Sequence, residues 1–90
     1  MDKHIIILVH VTNRVTKAGE VNELLSEYGA NIKTRLGLHE VNEEFNSPAG
    51  VIVLEMFGEE ARCSELADKL SAVEGIEVKK VVFEHPWLKK

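Results

Sequence analysis

One stretch in the first half of the chain changes its hydrophobic period from that of a helix to that of a strand. Four apolar residues recur three and four positions apart and line one face of a predicted helix: Val21, Leu24, Leu25 and Tyr28. Gly29 follows where a helix favours a left-handed residue, a conformation that glycine adopts without steric cost. Beyond it the period becomes two and predicts a strand over residues 32–38, with Ile32, Leu36 and Leu38 on one side. The stretch therefore predicts the middle of a βαβ unit.

The remaining segments complete two such units. Residues 4–11 and 50–57 are apolar at both alternating positions, which is typical of strands buried on two faces. Helices are predicted from about residue 15 to residue 28 and between Gly58 and Gly75, the second with acidic residues in its first turn. Residues 77–83 carry lysines that suit an edge strand. Residues 40–49 contain turn formers and predict a long hairpin connection.

The predicted order of elements is βαββαβ, which favours an α+β fold of the ferredoxin-like sandwich type. In this fold a four-stranded antiparallel sheet has the order 4-1-3-2, and two helices cover one face. The sequence agrees with that order, because the apolar strands one and three take the central places and the charged strands two and four take the edges. We therefore expect one domain over residues 1–84 and a C-terminal tail over residues 85–90.

Composition and charge restrict the function. The chain has 90 residues and a formal net charge of −4, and this negative charge argues against sequence-independent binding to phosphate backbones. It has one cysteine, which fits a reducing compartment. The apolar run over residues 5–9 is too short for a signal peptide or a membrane span. These features predict a cytoplasmic protein that contacts neither nucleic acid nor membrane directly.

The metal-ligating residue types are scattered. His4 and His10 lie on one predicted strand, about 20 Å apart. His10 and His39 are expected at the same rim of the sheet, about 10 Å apart across two strand spacings. Cys63 lies on the apolar face of its helix and is interpreted as a small buried hydrophobe. The sequence thus predicts no metal site and no cofactor.

Three segments resemble a known family. They read LLSEYGANI over residues 24–32, RLGLH over residues 35–39 and KLSAVEGIEVK over residues 69–79. The first resembles the helix-to-strand junction of ACT-type regulatory domains. The whole pattern, over about residues 5–83, resembles an ACT-like family of proposed regulators of the iron-only hydrogenase system, which is similar in turn to the metal-binding domain of the nickel-responsive repressor. The resemblance implies a domain that is not an enzyme and that senses a small-molecule effector as a homo-oligomer, either a dimer or a dimer of dimers.

The chain departs from these relatives at two places. ACT domains that bind amino acids have the loop sequence Asp-Arg-Pro-Gly after strand one, whereas this chain has Asn13, Arg14, Val15 and Thr16. The nickel-binding domain has paired histidines on its third strand, where this chain has Val51 and Val53. The candidate ligand-binding residues are in the turn after strand one and at nearby strand positions: Thr12, Asn13, Arg14, Val15, Thr16, Arg35, His10 and His39.

Two other classes remain open on the residues alone. A small enzyme of the acyl-phosphate-hydrolase type shares this sandwich, but its chemistry requires a glycine-rich anion cradle, and the turn after strand one has no glycine before Gly19. An RNA-binding module would stack bases on aromatic residues of the central strands, which offer only Phe57.

The exposed side of the sheet is the predicted oligomer interface. Two helices cover one side of a four-stranded sheet, so alternate apolar residues of the central strands remain on the other side. Symmetric self-association is the commonest way to bury such a patch. The predicted interface residues are Ile6, Leu8, Arg35 and Gly37.

Overall fold

The computed structural model describes residues 3–12, 15–39 and 50–84. Its elements are β1 (Lys3–Val11), α1 (Ala18–Glu27), a 3-10 turn (Gly29–Asn31), β2 (Ile32–His39), β3 (Gly50–Met56), α2 (Glu60–Ser71) and β4 (Ile76–Glu84). The strands form one antiparallel sheet in the order β2-β3-β1-β4. The ferredoxin-like fold is confirmed, with β1 and β3 in the centre. The predicted hairpin connection 40–49 and tail 85–90 lie outside the described residues.

The core lies between the sheet and the two helices. Along β1 the odd-numbered residues point into it, and Ile5, Ile7 and Val9 are fully buried. Their partners on β3 include Met56 and Leu54, which are also buried. The helices contribute one apolar face each: Val21 and Leu25 from α1, and Cys63, Leu66, Ala67 and Leu70 from α2. Burial raises the pKa of the Cys63 thiol, which agrees with its interpretation as a small buried hydrophobe.

Helix α1 begins three residues later than predicted, at Ala18 instead of Val15. The Val15 amide donates to the Thr12 carbonyl at 3.2 Å and so closes a turn. Lys17 then precedes the helix with a backbone φ of −127°. The apolar period marks which face of α1 is buried, but the turn decides where the helix begins.

The left-handed conformation predicted at Gly29 is wrong. Gly29 opens the right-handed 3-10 turn, in which the Asn31 amide donates to the Tyr28 carbonyl at 2.8 Å. Among the described residues the positive φ values belong to Gly58, at 94°, and Gly75, at 83°. At Gly58 a Cβ atom would lie 2.6 Å from the side-chain nitrogen of Asn31. Glycine is therefore required there by both the backbone conformation and the close approach of Asn31.

Strand β2 contains a bulge that reverses the predicted faces of most of the strand. Ile32 pairs with Met56, whereas Thr34 pairs with the very next residue of β3, Glu55, so Lys33 is the extra residue. After the bulge Arg35 lies opposite the buried Leu54. Each following residue is shifted to the other side of the sheet, because side chains alternate with a period of two.

Two parts of the sequence interpretation are wrong for this reason. Leu36 and Leu38 were expected on the side of Ile32, but they lie on the open side and are 53% and 52% exposed. Arg35 and Gly37 were expected on the open side, but they lie opposite Leu54 and Ile52, which face the helices.

Tyr28 connects the end of α1 to α2. Its side chain is fully buried, and its ring lies beneath two cations, with the Arg62 guanidinium carbon 4.3 Å and the Lys69 Nζ 5.2 Å from the ring centroid. Among the described residues the Tyr28 hydroxyl has no partner in hydrogen-bonding geometry, but its proximity is the first cause of the raised pKa of Lys69. Lys69 also contacts Glu27 of α1 at 3.4 Å. The two helices are therefore held together by cation–π and ion-pair contacts as well as by apolar packing.

Candidate functional site

The side of the sheet opposite the helices carries an apolar band that crosses all four strands. The pairing register places its members on a diagonal, from one end of β2 to the other end of β4. We call this set the diagonal band: Leu36, Leu38, Val51, Val53, Leu8, Ile6, Val81 and Phe83. The side chains at its two ends are the most exposed, and Val81 and Phe83 on β4 are 37% and 51% accessible. Large aliphatic side chains in one continuous exposed band are typical of a surface that binds another protein surface.

Polar groups flank the band on both sides. On one side the Glu55 carboxylate accepts a hydrogen bond from the Thr34 hydroxyl at 2.9 Å and contacts the His4 ring nitrogen Nε2 at 2.7 Å. On the other side His10 Nδ1 lies 3.4 Å from a carboxylate oxygen of Glu77. Lys79 is on this second side, opposite Leu8 in the register. The open face is thus an apolar stripe between two polar margins.

Glu55 should titrate below the ordinary glutamate pKa of 4.5, because first the Thr34 hydroxyl and then the His4 ring stabilise its carboxylate. A folded-state pKa below the unfolded value means that this contribution to stability is present above pH 4.5 and is lost as the pH falls through the folded pKa. Replacing Thr34 with Val should move the Glu55 pKa up towards the ordinary value. An NMR titration of the Glu55 side-chain carbonyl measures it, with Thr16→Val as the control. Identical Glu55 titrations in both variants would contradict the assignment.

The turn after β1, the first candidate ligand site, is tied to the α2–β4 connection. Both the amide and the hydroxyl of Thr12 donate to the Gly75 carbonyl, at 3.0 and 2.7 Å. Asn13 and Arg14 lie outside the described residues. Because α1 begins at Ala18, residues 15–17 separate its free amide groups from Thr12. Within the described residues, Thr12 joins this turn to Gly75, and Val15 packs against the core.

The other candidate ligand residues separate into two places. Arg35 lies in the middle of β2, and its Nη2 is 3.3 Å from the Asn22 side-chain oxygen on α1. His10 pairs with Val51 and His39 with Gly50, so both histidines are at the end of the sheet that adjoins the turn. The structure therefore brings His10, His39 and Thr12 to one end of the sheet and leaves Arg35 apart from them.

Within residues 3–12, 15–39 and 50–84 no three side chains of His, Cys, Asp or Glu are grouped so as to hold a metal ion. In the same part of the chain neither helix has the length and apolar character needed to cross a bilayer.

A groove between α1 and α2 was not predicted from the sequence. Its volume is about 360 Å³, with Leu24 and Val73 among its apolar lining residues and Glu20, Glu23 and Glu27 along α1. The three- and four-residue spacing of these three glutamates along α1 was the available signal, since residues three and four apart share a helix face. The groove becomes visible only when α2 is placed beside α1.

The element order, the sheet topology and the two covering helices define an ACT-like domain of the ferredoxin-like class. Protein TM1266 from Thermotoga maritima is 28% identical to the chain, with a TM-score of 0.75 over 91% of this chain and 99% of that one. The ACT domain of the GTP pyrophosphokinase of Chlorobium tepidum is 18% identical, with a TM-score of 0.55 over 88% and 96%. The C-terminal domain of MgtC from Mycobacterium tuberculosis is 12% identical, with a TM-score of 0.54 over 92% and 88%. The last two show the fold alone.

A family model gives the more specific assignment. The TM1266-like family, whose description is "Iron-only hydrogenase system regulator, putative", matches residues 3–80. The chain belongs to this family, as the RLGLH and KLSAVEGIEVK segments predicted. A comparison with curated proteins gave no match. This family membership supports a regulatory role.

Proposed function

We propose that the protein is a non-catalytic regulatory domain of the iron-only hydrogenase system that senses a small-molecule effector and acts as a homo-oligomer. The match of residues 3–80 to the regulator family is the observation that carries this proposal. The match covers every helix and all but the last residues of β4, so it concerns the whole fold and not one motif.

The effector site is assigned to the turn of residues 12–16 and the sheet end beside it, with His10 and His39. Thr12 connects this turn to Gly75 through two hydrogen bonds. Gly75 directly precedes β4, whose Val81 and Phe83 are at one end of the diagonal band. A ligand that displaces Thr12 would therefore move the strand that carries part of the exposed apolar surface. The proposed site does not include Arg35, because its Nη2 lies 3.3 Å from the Asn22 side-chain oxygen of α1, away from the turn.

A thermal-shift screen with a panel of amino acids and nucleotides should find a compound that raises the melting temperature. A ligand at one hundred times its dissociation constant stabilises the native state by about 2.7 kcal/mol, which in a domain of this size corresponds to more than about 10 °C. In an NMR titration with the compound found, amide shifts should cluster at residues 10–12, 15–16 and 75–77. Thr12→Val should weaken binding, whereas Thr34→Val should not. Shifts confined to residues 40–49 or to the α1–α2 groove would refute this site.

The homo-oligomer is assigned to the open face of the sheet. The predicted interface residues Ile6 and Leu8 belong to the diagonal band and are half-buried within one chain. On β2 the proposed interface contains Leu36 and Leu38 instead of Arg35 and Gly37, because the bulge moves the two leucines to the open side. An aliphatic surface of this extent favours a second copy of the chain as its partner, since symmetric pairing buries the surface on both copies at once.

A further inference from the structure

We propose that two copies of this chain pack face to face about a two-fold axis that runs along the diagonal band, so that Lys79 of each copy meets the partner's Glu55. The inference rests on the homo-oligomer proposed above and adds its geometry. A second copy is the occupant because the band and its charged margins are complementary to themselves under this one rotation.

The positions follow from the pairing register. Three rows cross the open face from β2 to β4, and they contain Leu38, Val51, His10 and Glu77, then Leu36, Val53, Leu8 and Lys79, then Thr34, Glu55, Ile6 and Val81. A last row pairs His4 with Phe83. Strands about 4.8 Å apart and same-face side chains about 6.8 Å apart along a strand place the band at roughly 45° to the strands.

Rotation about a two-fold axis along the band places the band of one protomer against the band of its partner. Val53 and Ile6 lie within about 1 Å of this axis, so each meets the same residue of the partner. Leu36 and Leu38 come to the same two residues of the partner, and Val81 and Phe83 come to the partner's Val81 and Phe83. The rotation turns strands that are at about 45° to the axis by twice that angle, so the two sheets cross at about 90°, one of the two preferred angles for packed sheets.

The same rotation brings opposite charges together. Lys79 lies about 7 Å to one side of the band axis and Glu55 about 4 Å to the other, at nearly the same position along it. Each lysine therefore reaches the partner's glutamate across a gap that its long side chain can span. Within the described ranges Lys79 has no ion-pair partner in its own chain. Glu55 is held in place by Thr34 and His4 and is 28% exposed, so it is positioned in advance for a partner's cation.

Charge reversal tests the pairing. Lys79→Glu places two glutamates at each contact of a homodimer, and Glu55→Lys places two lysines there. The dissociation constant of each homodimer should therefore be on the order of tenfold larger than that of the unmodified protein. An equimolar mixture of the two variants restores both opposite-charge contacts in the heterodimer. Sedimentation equilibrium of the mixture should therefore show association close to that of the unmodified protein. Lys80→Glu is the matched control, since Lys80 is on the same strand but points to α2, with its Nζ 2.9 Å from the Ser64 hydroxyl.

Each outcome decides a different point. Equal weakening by Lys79→Glu and Lys80→Glu, or a mixture no tighter than its components, overturns the axis while the homo-oligomer stands. An unmodified protein that remains monomeric at about 100 μM, a concentration at which a stable dimer forms, overturns both the axis and the homo-oligomer. Another partner or another segment of the chain then covers the band.

If Glu55→Lys fails to fold, the double variant Lys79→Glu/Glu55→Gln replaces it. That variant removes the repulsion and should dimerise more tightly than Lys79→Glu alone; equal or weaker association contradicts the pairing.

Discussion

Leu54→Ala should lower the free energy of unfolding by about 3.5 kcal/mol, the middle of the range of about 2–5 kcal/mol for replacing a core leucine with alanine. Leu54 is fully buried on the helix side of β3, between Ile7 of β1 and Arg35 of β2. The two neighbouring strands hold the backbone around it, so the space left by the side chain closes only in part. A loss of this size is a large fraction of the roughly 5–15 kcal/mol that stabilises a typical domain. Urea denaturation followed by circular dichroism measures it.

Leu54→Met is the control, because it keeps nearly the same volume at the same position. It should cost less than about 1.5 kcal/mol, as is usual for volume-conserving changes in a core. Equal losses in the two variants would mean that the cavity is not the cause of the destabilisation. A small loss for Leu54→Ala would show that this part of the core collapses around the alanine.

The sequence predicts the arrangement of the sheet because the burial of each strand is encoded in its own residues. β1 and β3 are apolar at both alternating positions, whereas β2 and β4 carry the lysines, and this difference alone separates central from edge strands. Because β3 is apolar at both alternating positions, its sequence does not tell which of its residues face the helices, and the structure does. Val51 and Val53 face outward, and Leu54 and Met56 face the helices.

The bulge in β2 could not be found by counting a period of two. It depends on pairing with β3, where Thr34 lies opposite Glu55 and donates its hydroxyl hydrogen to the Glu55 carboxylate. These residues are 21 positions apart in the chain. A period assigned to β2 alone places Ile32 and Leu36 on one side, and one extra residue then reverses every position that follows.

Glycine conformations show the same limit. Gly29 and Gly75 each follow an apolar helical period, and the sequence predicts a left-handed residue at Gly29. Gly75 has the positive φ and Gly29 does not. The difference arises from the 3-10 turn, whose last residue, Asn31, also reaches Gly58 through its side chain. The diagonal band, the His4–Glu55 and His10–Glu77 pairs and the α1–α2 groove likewise join residues from distant parts of the chain, so the candidate site was less predictable than the fold.

Val53→Lys should convert the homo-oligomer into a monomer. Val53 lies at the centre of the diagonal band, between Leu36 and Leu8 in the register, and on the proposed two-fold axis. Two lysines would then face each other in the interface, where like charges cost several kcal/mol and weaken association on the order of a hundredfold or more. The half-buried position lets the lysine stem lie along the sheet and keep its ammonium group in water once the copies separate.

Sedimentation at micromolar concentration measures the change. The unmodified protein should have at least twice the chain mass of 10.1 kDa, and Val53→Lys should sediment as the 10.1 kDa chain with an unchanged circular dichroism spectrum. Ala61→Lys, on an exposed position of α2, adds the same charge away from the band and should leave the assembly intact. If Val53→Lys unfolds, Phe83→Lys replaces it. Phe83 lies at the exposed end of the band, so this change disturbs the interface without disturbing the core and should weaken association by a smaller factor. An assembly that keeps its mass in both band variants would place the interface elsewhere, because two charged residues cannot be buried in the band without partners.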